Sequence, residues 1–203
     1  MADVKGRPFI TLVFDQLLRF GVSRAVLCLG HLGESVPPVL GNRYGDLALD
    51  YSFEAAPLGT GGALRHAQAF VPDAEFFALN GDSLCDVDFH SLEAAHAAGG
   101  GDMTLVALHR DDRSRSGALA VDTSGRVTQF ESRPSTPTPG LINAGIYVMR
   151  RSVLDLIPQD RASSLEDEIM PQLVTRGTLH AWPIDGNFID IGTPESYLAM
   201  RDA

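Results

Sequence analysis

Two aspartates and a glycine-rich segment are the residues of this chain best placed to do chemistry. Asp82 closes the run Phe76-Phe-Ala-Leu-Asn-Gly-Asp, and Asp190 stands in Phe188-Ile-Asp-Ile-Gly-Thr-Pro194. Each follows apolar, strand-like residues and has a glycine close by, which places its carboxylate at the carboxyl end of a strand. Open α/β sheets hold their ligands there. An aspartate near a glycine is often a simple turn former. Two such carboxylates from distant sequence can instead share a hard divalent cation, and Mg²⁺ typically takes one or two carboxylates together with substrate phosphate oxygens. Taken jointly, and with the glycine segment, Asp82 and Asp190 read as metal ligands.

The segment Pro57-Leu58-Gly59-Thr60-Gly61-Gly62 follows Glu54. Its glycines would let the backbone approach a flat ligand and expose N–H donors; they would serve equally as a tight strand-to-helix connection. The pattern matches neither the Walker loop nor the dinucleotide fingerprint. Asp86-Val-Asp88 has a spacing that some glycosyltransferases use for metal–nucleotide complexes, but a solvated acid followed by a helix N-cap accounts for it. The six histidines form no metal-spaced cluster, and Trp182 reads as packing. Cys28 and Cys85 lie in or beside apolar runs and read as reduced core thiols.

These residues need elements to position them. Pro8 and Gly21 bracket an apolar first helix, and Arg24 to Gly30 reads as a fully buried strand of the parallel type. A short helical turn at 32–40 is interrupted by Pro37-Pro38, and Leu47 to Phe53 alternates as a strand. A helix is expected from about Gly62 to Phe70, a strand at 76–80, a helix from Phe89 to Ala98 ending in Gly99-Gly-Gly101, and a strand at 103–109. Runs at 117–122 and 126–130 flank a turn and predict a hairpin; 132–140 is a loop and 141–149 a strand. Ser163 with Glu166 has capping-box spacing for a helix reaching about Thr175. Strands at 180–184 and 188–190 and a helix from Pro194 complete the chain. Alternating strands and helices predict an α/β class with a mostly parallel mixed sheet flanked by helices, in one domain spanning 1–203.

The bulk composition bounds the function. At 203 residues, 44% hydrophobic and 21% charged, the chain is sized for one well-buried domain. A formal charge of −10 argues against a nucleic-acid binder, which needs a basic face to neutralise phosphates, and leaves room for a small anionic substrate. No signal-peptide pattern opens the chain and no apolar run approaches the roughly 20 residues that span a bilayer. The expected partners are small molecules, with neither nucleic acid nor membrane, in a reducing cytoplasm.

Together these motifs resemble the sugar-1-phosphate nucleotidylyltransferases, most closely their heptose-1-phosphate and mannose-1-phosphate guanylyltransferase branches. The resemblance runs from Gly6-Arg-Pro-Phe through Pro57-Leu-Gly-Thr-Gly-Gly, Asn80-Gly-Asp, Leu141-Ile-Asn-Ala-Gly145 and Phe188-Ile-Asp-Ile-Gly-Thr-Pro194. It implies a Rossmann-like, nucleotide-diphospho-sugar transferase type of fold. It also implies a reaction in which a sugar 1-phosphate oxygen attacks the α-phosphorus of a nucleoside triphosphate, releasing pyrophosphate. By the same resemblance, Asp82 and Asp190 hold Mg²⁺ and, with Arg133, carry catalysis. Glu54, Pro57 and Gly59 lie around the base, with Thr60 beside them, while Gly117 and Asn143 meet the sugar and Arg133 its phosphate. A carboxylate only accepts hydrogen bonds, and guanine offers adjacent N1–H and N2–H₂ donors, so Glu54 favours GTP. A non-catalytic nucleotide-sugar-binding subunit and a glycosyltransferase using Asp86 and Asp88 are the rival readings, and a homo-oligomer is compatible with the resemblance.

The chain departs from the family pattern twice. Phe130-Glu-Ser-Arg-Pro134 stands where the family has Phe-x-Glu-Lys-Pro, which puts Ser132 on the acidic position and Arg133 on the lysine. Glu131, one residue away on a strand, faces the opposite side. The family's opening strand and Gly-x-Gly-Thr-Arg loop are also missing before Met1. The expectation is a truncated reading of a longer protein, with the absent strand belonging between those ending at Gly30 and Asp82, and with little turnover.

Overall fold

Apolar runs and turn formers alternate along the chain to give thirteen strands and six α-helices, in a computed structural model that describes residues 2–114, 116–132, 134 and 137–202. The first half contains β1 (Asp3–Val4), β2 (Arg7–Pro8), α1 (Ile10–Arg19), β3 (Arg24–Leu29), α2 (Pro37–Leu40), β4 (Arg43–Tyr44), β5 (Leu47–Phe53), α3 (Gly59–His66), β6 (Glu75–Leu79), β7 (Ser83–Cys85) and α4 (Phe89–Gly99). The second contains β8 (Met103–Arg110), β9 (Ala118–Val121), β10 (Val127–Glu131), β11 (Gly140–Arg150), α5 (Met170–Arg176), β12 (Leu179–Ile184), β13 (Phe188–Asp190) and α6 (Pro194–Asp202). They fall into two compact units. No helix among the described residues is long and apolar enough to cross a membrane.

The first unit comprises Met1–Pro57, Asn80–Asp86 and Asn187–Ala203. Its sheet runs β3-β5-β4, with β3 and β5 parallel from Arg24↔Ala48 to Leu29↔Phe53 and β4 antiparallel to β5. A separate antiparallel pair joins β7 to β13, with Ser83 opposite Asp190. Helix α1 buries Val13, Phe14 and Leu17, and its buried Gln16 Nε2 donates to Cys85 O at 2.6 Å, which fixes the helix against β7. Gly21, at φ +73°, ends the helix as its type predicts. Pro37 and Pro38 begin α2 instead of interrupting it, since a first-turn proline has no N–H to lose.

The second unit comprises Leu58–Leu79 and Val87–Gly186. Its six-stranded sheet is ordered β10-β9-β11-β8-β12, with β6 also on β11. Leu105, Tyr147, Met149, Leu154, Leu165, Ile169, Leu173 and Leu179 form its core. Asp88 caps α4, its Oδ1 accepting from the His90 and Ser91 N–H groups, and Gly100 closes that helix in the left-handed region. A bulge in β11 between Asn143 and Tyr147 breaks the register with β8.

The α/β class with mixed sheets flanked by helices is as the alternation predicts; the balance of strand directions is not. Only β3–β5 and β12–β8 are parallel among the paired strands, because the hairpin β9–β10 and the long β11 bring their neighbours in antiparallel. Strand β3 is half-exposed, not fully buried. Among the described residues β5 is its one strand neighbour, as β11 is for β6. Each of the two strands therefore stands at an edge of its own sheet. Helix α3 starts at Gly59, earlier than expected, and Ser164 replaces Ser163 as the cap of the turn leading to α5.

Candidate functional site

In the first unit, antiparallel pairing brings the two aspartates together. Ser83 lies opposite Asp190, and Ile191 N donates to Asp82 O at 2.9 Å, so the residues flanking β7 and β13 are locked side by side. Gly192 N then donates to Asp190 Oδ1 at 2.6 Å. A Cβ on Gly192 would stand 2.9 Å from Asp190 Oδ1 and 3.0 Å from Asp82 Oδ2. The two carboxylates thus converge on the one position that has no side chain. Among the described residues neither has an ion-pair partner, and no cluster of three or more metal-ligating side chains occurs. Paired, unneutralised carboxylates beside a bare α-carbon fit a Mg²⁺ that takes its remaining ligands from phosphate and water.

A second feature of the same unit lies at the carboxyl ends of β3 and β5. The N–H of Glu54 donates to Leu29 O at 2.9 Å, which extends the parallel ladder and delivers the Glu54 side chain beside Gly30. A cleft of about 630 Å³ opens there, lined by Gly30, Leu32, Gly33, Glu34, Phe53 and Glu54 among others. Leu32 holds φ +57° and is 72% exposed, so an apolar side chain stands open at the rim. Burial and the nearby Glu54 carboxylate push the Cys28 thiol up to about 11, which leaves it an inert packing group. Pro57 is exposed at the end of this unit.

The other expected site residues belong to the second unit. Gly59 holds φ +74°, and a Cβ there would lie 2.6 Å from Ser163 O. The N–H groups of Gly61 and Gly62 donate to that same carbonyl at 2.9 and 3.1 Å, so these two donors are spent inside the protein. Of the two uses open to the glycine segment, the tight connection is thus realised at 61–62. The Thr60 hydroxyl donates to Glu166 Oε2 at 2.6 Å and accepts from Leu165 N at 2.8 Å.

Gly117 and Asn143 do come together. Asn143 N donates to Gly117 O at 2.7 Å, and a Cβ on Gly117 would lie 3.5 Å from the Asn143 Cβ and 2.8 Å from the Phe130 ring. The Asn143 amide is held at both ends, Nδ2 donating to Tyr147 Oη and Oδ1 accepting from Gly145 N. Bulges of this kind re-aim side chains beside functional sites. Arg133 lies outside the described residues. Asp88 is a helix cap and Asp86 an exposed partner of Arg19 at 3.7 Å, so both have structural roles. Residue type and spacing do not mark Gly192, Glu166 and Asp167 as site residues. The Asp-Ile-Gly run is a signal for the first, but nothing in sequence shows that Asp82 faces the same point.

Strand pairing and the helices that flank it define an α/β protein of mixed sheets. The nucleotidyl transferase family matches residues 2–203, and the chain belongs to it. It is 34% identical to a mannose-1-phosphate guanyltransferase of Eremothecium gossypii and 30% identical to the mannose-1-phosphate guanylyltransferase catalytic subunit beta of Dictyostelium discoideum, covering 98% of this chain in each case. The chain spans 56% of the length of each of those relatives. It superposes on the crystal structure of HddC from Yersinia pseudotuberculosis complexed with GMP-PN with a TM-score of 0.86 and 27% identity, over 100% of this chain and 88% of that one.

Proposed function

We propose that the protein is a sugar-1-phosphate guanylyltransferase, joining a heptose or mannose 1-phosphate to GTP with release of pyrophosphate. The observation that carries this reading is the convergence of Asp82 and Asp190 on Gly192, in a chain whose relatives include mannose-1-phosphate guanyltransferases along 98% of its length. Catalysis of this kind is mainly positioning and charge neutralisation. Asp82 and Asp190 would hold Mg²⁺, which when bound would offset the negative charge that builds on the phosphates. Glu54 accepts the guanine donors, Pro57, Gly59 and Thr60 border the base, and Gly117 and Asn143 contact the sugar. Arg133 pairs with the sugar phosphate, offering a fork of donors where a lysine would offer a point charge.

Pyrophosphate release with GTP, Mg²⁺ and each sugar 1-phosphate tests the reading. Asp82→Asn and Asp190→Asn are each expected to lower kcat by at least about 100-fold, whereas Asp86→Ala leaves it within about twofold. GTP binding without pyrophosphate release, by this chain and by a folded upstream-extended version alike, would move the reading to a binding subunit.

A further inference from the structure

Three consecutive acids open the helical turn Leu165–Ile169, and each is committed to a different neighbour. Glu166 Oε2 accepts from the Thr60 hydroxyl at 2.6 Å, Asp167 Oδ1 from the Ser132 hydroxyl at 2.5 Å, and Glu168 Oε2 from Arg161 Nη2 at 2.5 Å. The turn is of the wide π type, and successive side chains fan out around its axis, so adjacent acids reach different segments. Hydroxyl-to-carboxylate bonds of this length are charge-assisted and about twice as strong as neutral ones. The turn itself is braced: Ser164 Oγ accepts from Asp167 N at 3.0 Å, and Ser164 N donates to Glu168 Oε1 at 3.2 Å. The hydrogen bond from Arg161 is the main reason the Glu168 carboxyl is held down at about 2, so it stays charged across the working range.

On one side this turn clamps the glycine-rich segment. Ser163 N donates to Leu58 O, Ser163 O accepts from Gly61 and Gly62, and Thr60 closes the set through Leu165 N and Glu166. Thr60 has one hydroxyl proton, and Glu166 takes it, so the threonine rotamer is fixed by the acid. On the other side Ser132 follows the last residue of β10 and immediately precedes Arg133. Two segments far apart in the chain are therefore tied to neighbouring residues of one short turn.

We propose that Glu166 and Asp167 are positioning residues that anchor the two substrate segments separately to one turn, Glu166 setting the glycine-rich segment through Thr60 and Asp167 setting the end of β10 through Ser132. The proposal rests on the reading that gives the nucleotide to residues 57–60 and the sugar phosphate to Arg133. Neither acid touches substrate; each holds a hydroxyl that holds a binding segment.

The expected kinetic pattern is a split. Glu166→Ala and Thr60→Val raise KM for GTP by about tenfold and leave KM for the sugar phosphate nearly unchanged, as loss of one charge-assisted hydrogen bond would. Asp167→Ala and Ser132→Ala do the reverse. Thr60→Ser and Glu166→Gln, which keep the donor and the acceptor, recover most of the loss. Equal changes in both KM values, or a uniform fall in kcat without rescue, would overturn the separate anchoring and leave a general packing role.

Amide exchange on the unliganded protein reads the same partition without turnover. Glu166→Ala should speed exchange at 58–62 and spare 130–132, and Asp167→Ala the opposite; equal acceleration of both segments would overturn the proposal. If Glu166→Ala fails to fold, Thr60→Val compared with Thr60→Ser carries the same comparison. A wild-type protein that neither turns over nor changes its exchange with GTP, while the partition persists, would refute the activity reading and leave the positioning turn standing.

Discussion

The carboxylates of Asp82 and Asp190 converge on the α-carbon of Gly192, each within about 3 Å of where a side chain on that residue would begin. The pair is made by the β7–β13 ladder, which sets Ser83 opposite Asp190 and ties Ile191 N to Asp82 O. Bare backbone at 192 is thus a condition of the cradle, and the surrounding geometry makes it testable.

Gly192→Ala inserts a methyl at 2.9 and 3.0 Å from the two carboxylate oxygens. The expected outcome is a fall in kcat of about 100-fold, as misplacement by ~1 Å can produce, with a rise in the Mg²⁺ concentration giving half-maximal rate. Gly192 is exposed, so the thermal midpoint should hardly move. A magnesium titration of pyrophosphate release, run beside thermal unfolding, separates these effects; an unchanged magnesium requirement would remove the cradle from the mechanism.

Glu54 extends the β3–β5 ladder through its N–H to Leu29 O, so its side chain starts from a rigid point at the cleft. Glu54→Gln exchanges one of two acceptors for a donor, which mismatches the paired donors of guanine. The preference for GTP over UTP, as a ratio of kcat/KM values, should fall by at least about tenfold, since a site built to pair with donors discriminates strongly through them. A ratio unaltered by the substitution would mean that Glu54 does not read the base.

Two left-handed glycines offer a controlled comparison. Gly100, at φ +67°, has nothing within 4 Å of an added Cβ, whereas at Gly59, φ +74°, Ser163 O would be 2.6 Å away. Gly100→Ala should cost about 1 kcal/mol from backbone conformation alone. Gly59→Ala should cost clearly more, at least about 2 kcal/mol, because backbone must shift as well. Urea unfolding of the two variants measures the difference, and equal losses would deny the close approach.

His96 supplies a pH dependence. It is 1% exposed, its Nδ1 sits 2.9 Å from Thr104 Oγ1, and its Nε2 has no hydrogen-bond partner. Burial holds the imidazole below its ordinary 6.5, outweighing the pull of Glu75 and Asp102, while Arg150 and His180 push the same way as burial. The unfolded chain therefore takes up a proton first as pH falls, and the folded state loses stability below about 6.5. Above that value the ring is neutral in both states and the stability is fully present. The thermal midpoint of the wild type should drop by a few degrees from about pH 7.5 to about pH 5.5. His96→Gln should drop less over the same interval, and parallel curves would assign the acid sensitivity to other groups.

Local chemistry made much of the fold readable in advance. Gly21 and Asp88 mark the ends of α1 and α4 because their preferences act within one turn of the backbone. Alternation showed β5 and the β9–β10 hairpin for the same reason. Capping at Ser164 instead of Ser163 was one residue beyond such signals, since the adjacent serines carry the same hydroxyl and the position of the helical turn decides between them.

Residue type and spacing were thus enough to mark the α/β class and to nominate the carboxylates Asp82 and Asp190, the glycine segment and Glu54 as candidates, because charge, backbone freedom and periodicity are written residue by residue. Strand direction, the meeting of Asp82 with Asp190, the loss of the Gly61 and Gly62 donors to Ser163, and the ties of Glu166 and Asp167 to Thr60 and Ser132 were decided only in three dimensions. Each of these depends on which distant segments share a hydrogen-bond ladder or a turn, and that choice follows from burial of the whole core and not from any local run of residues.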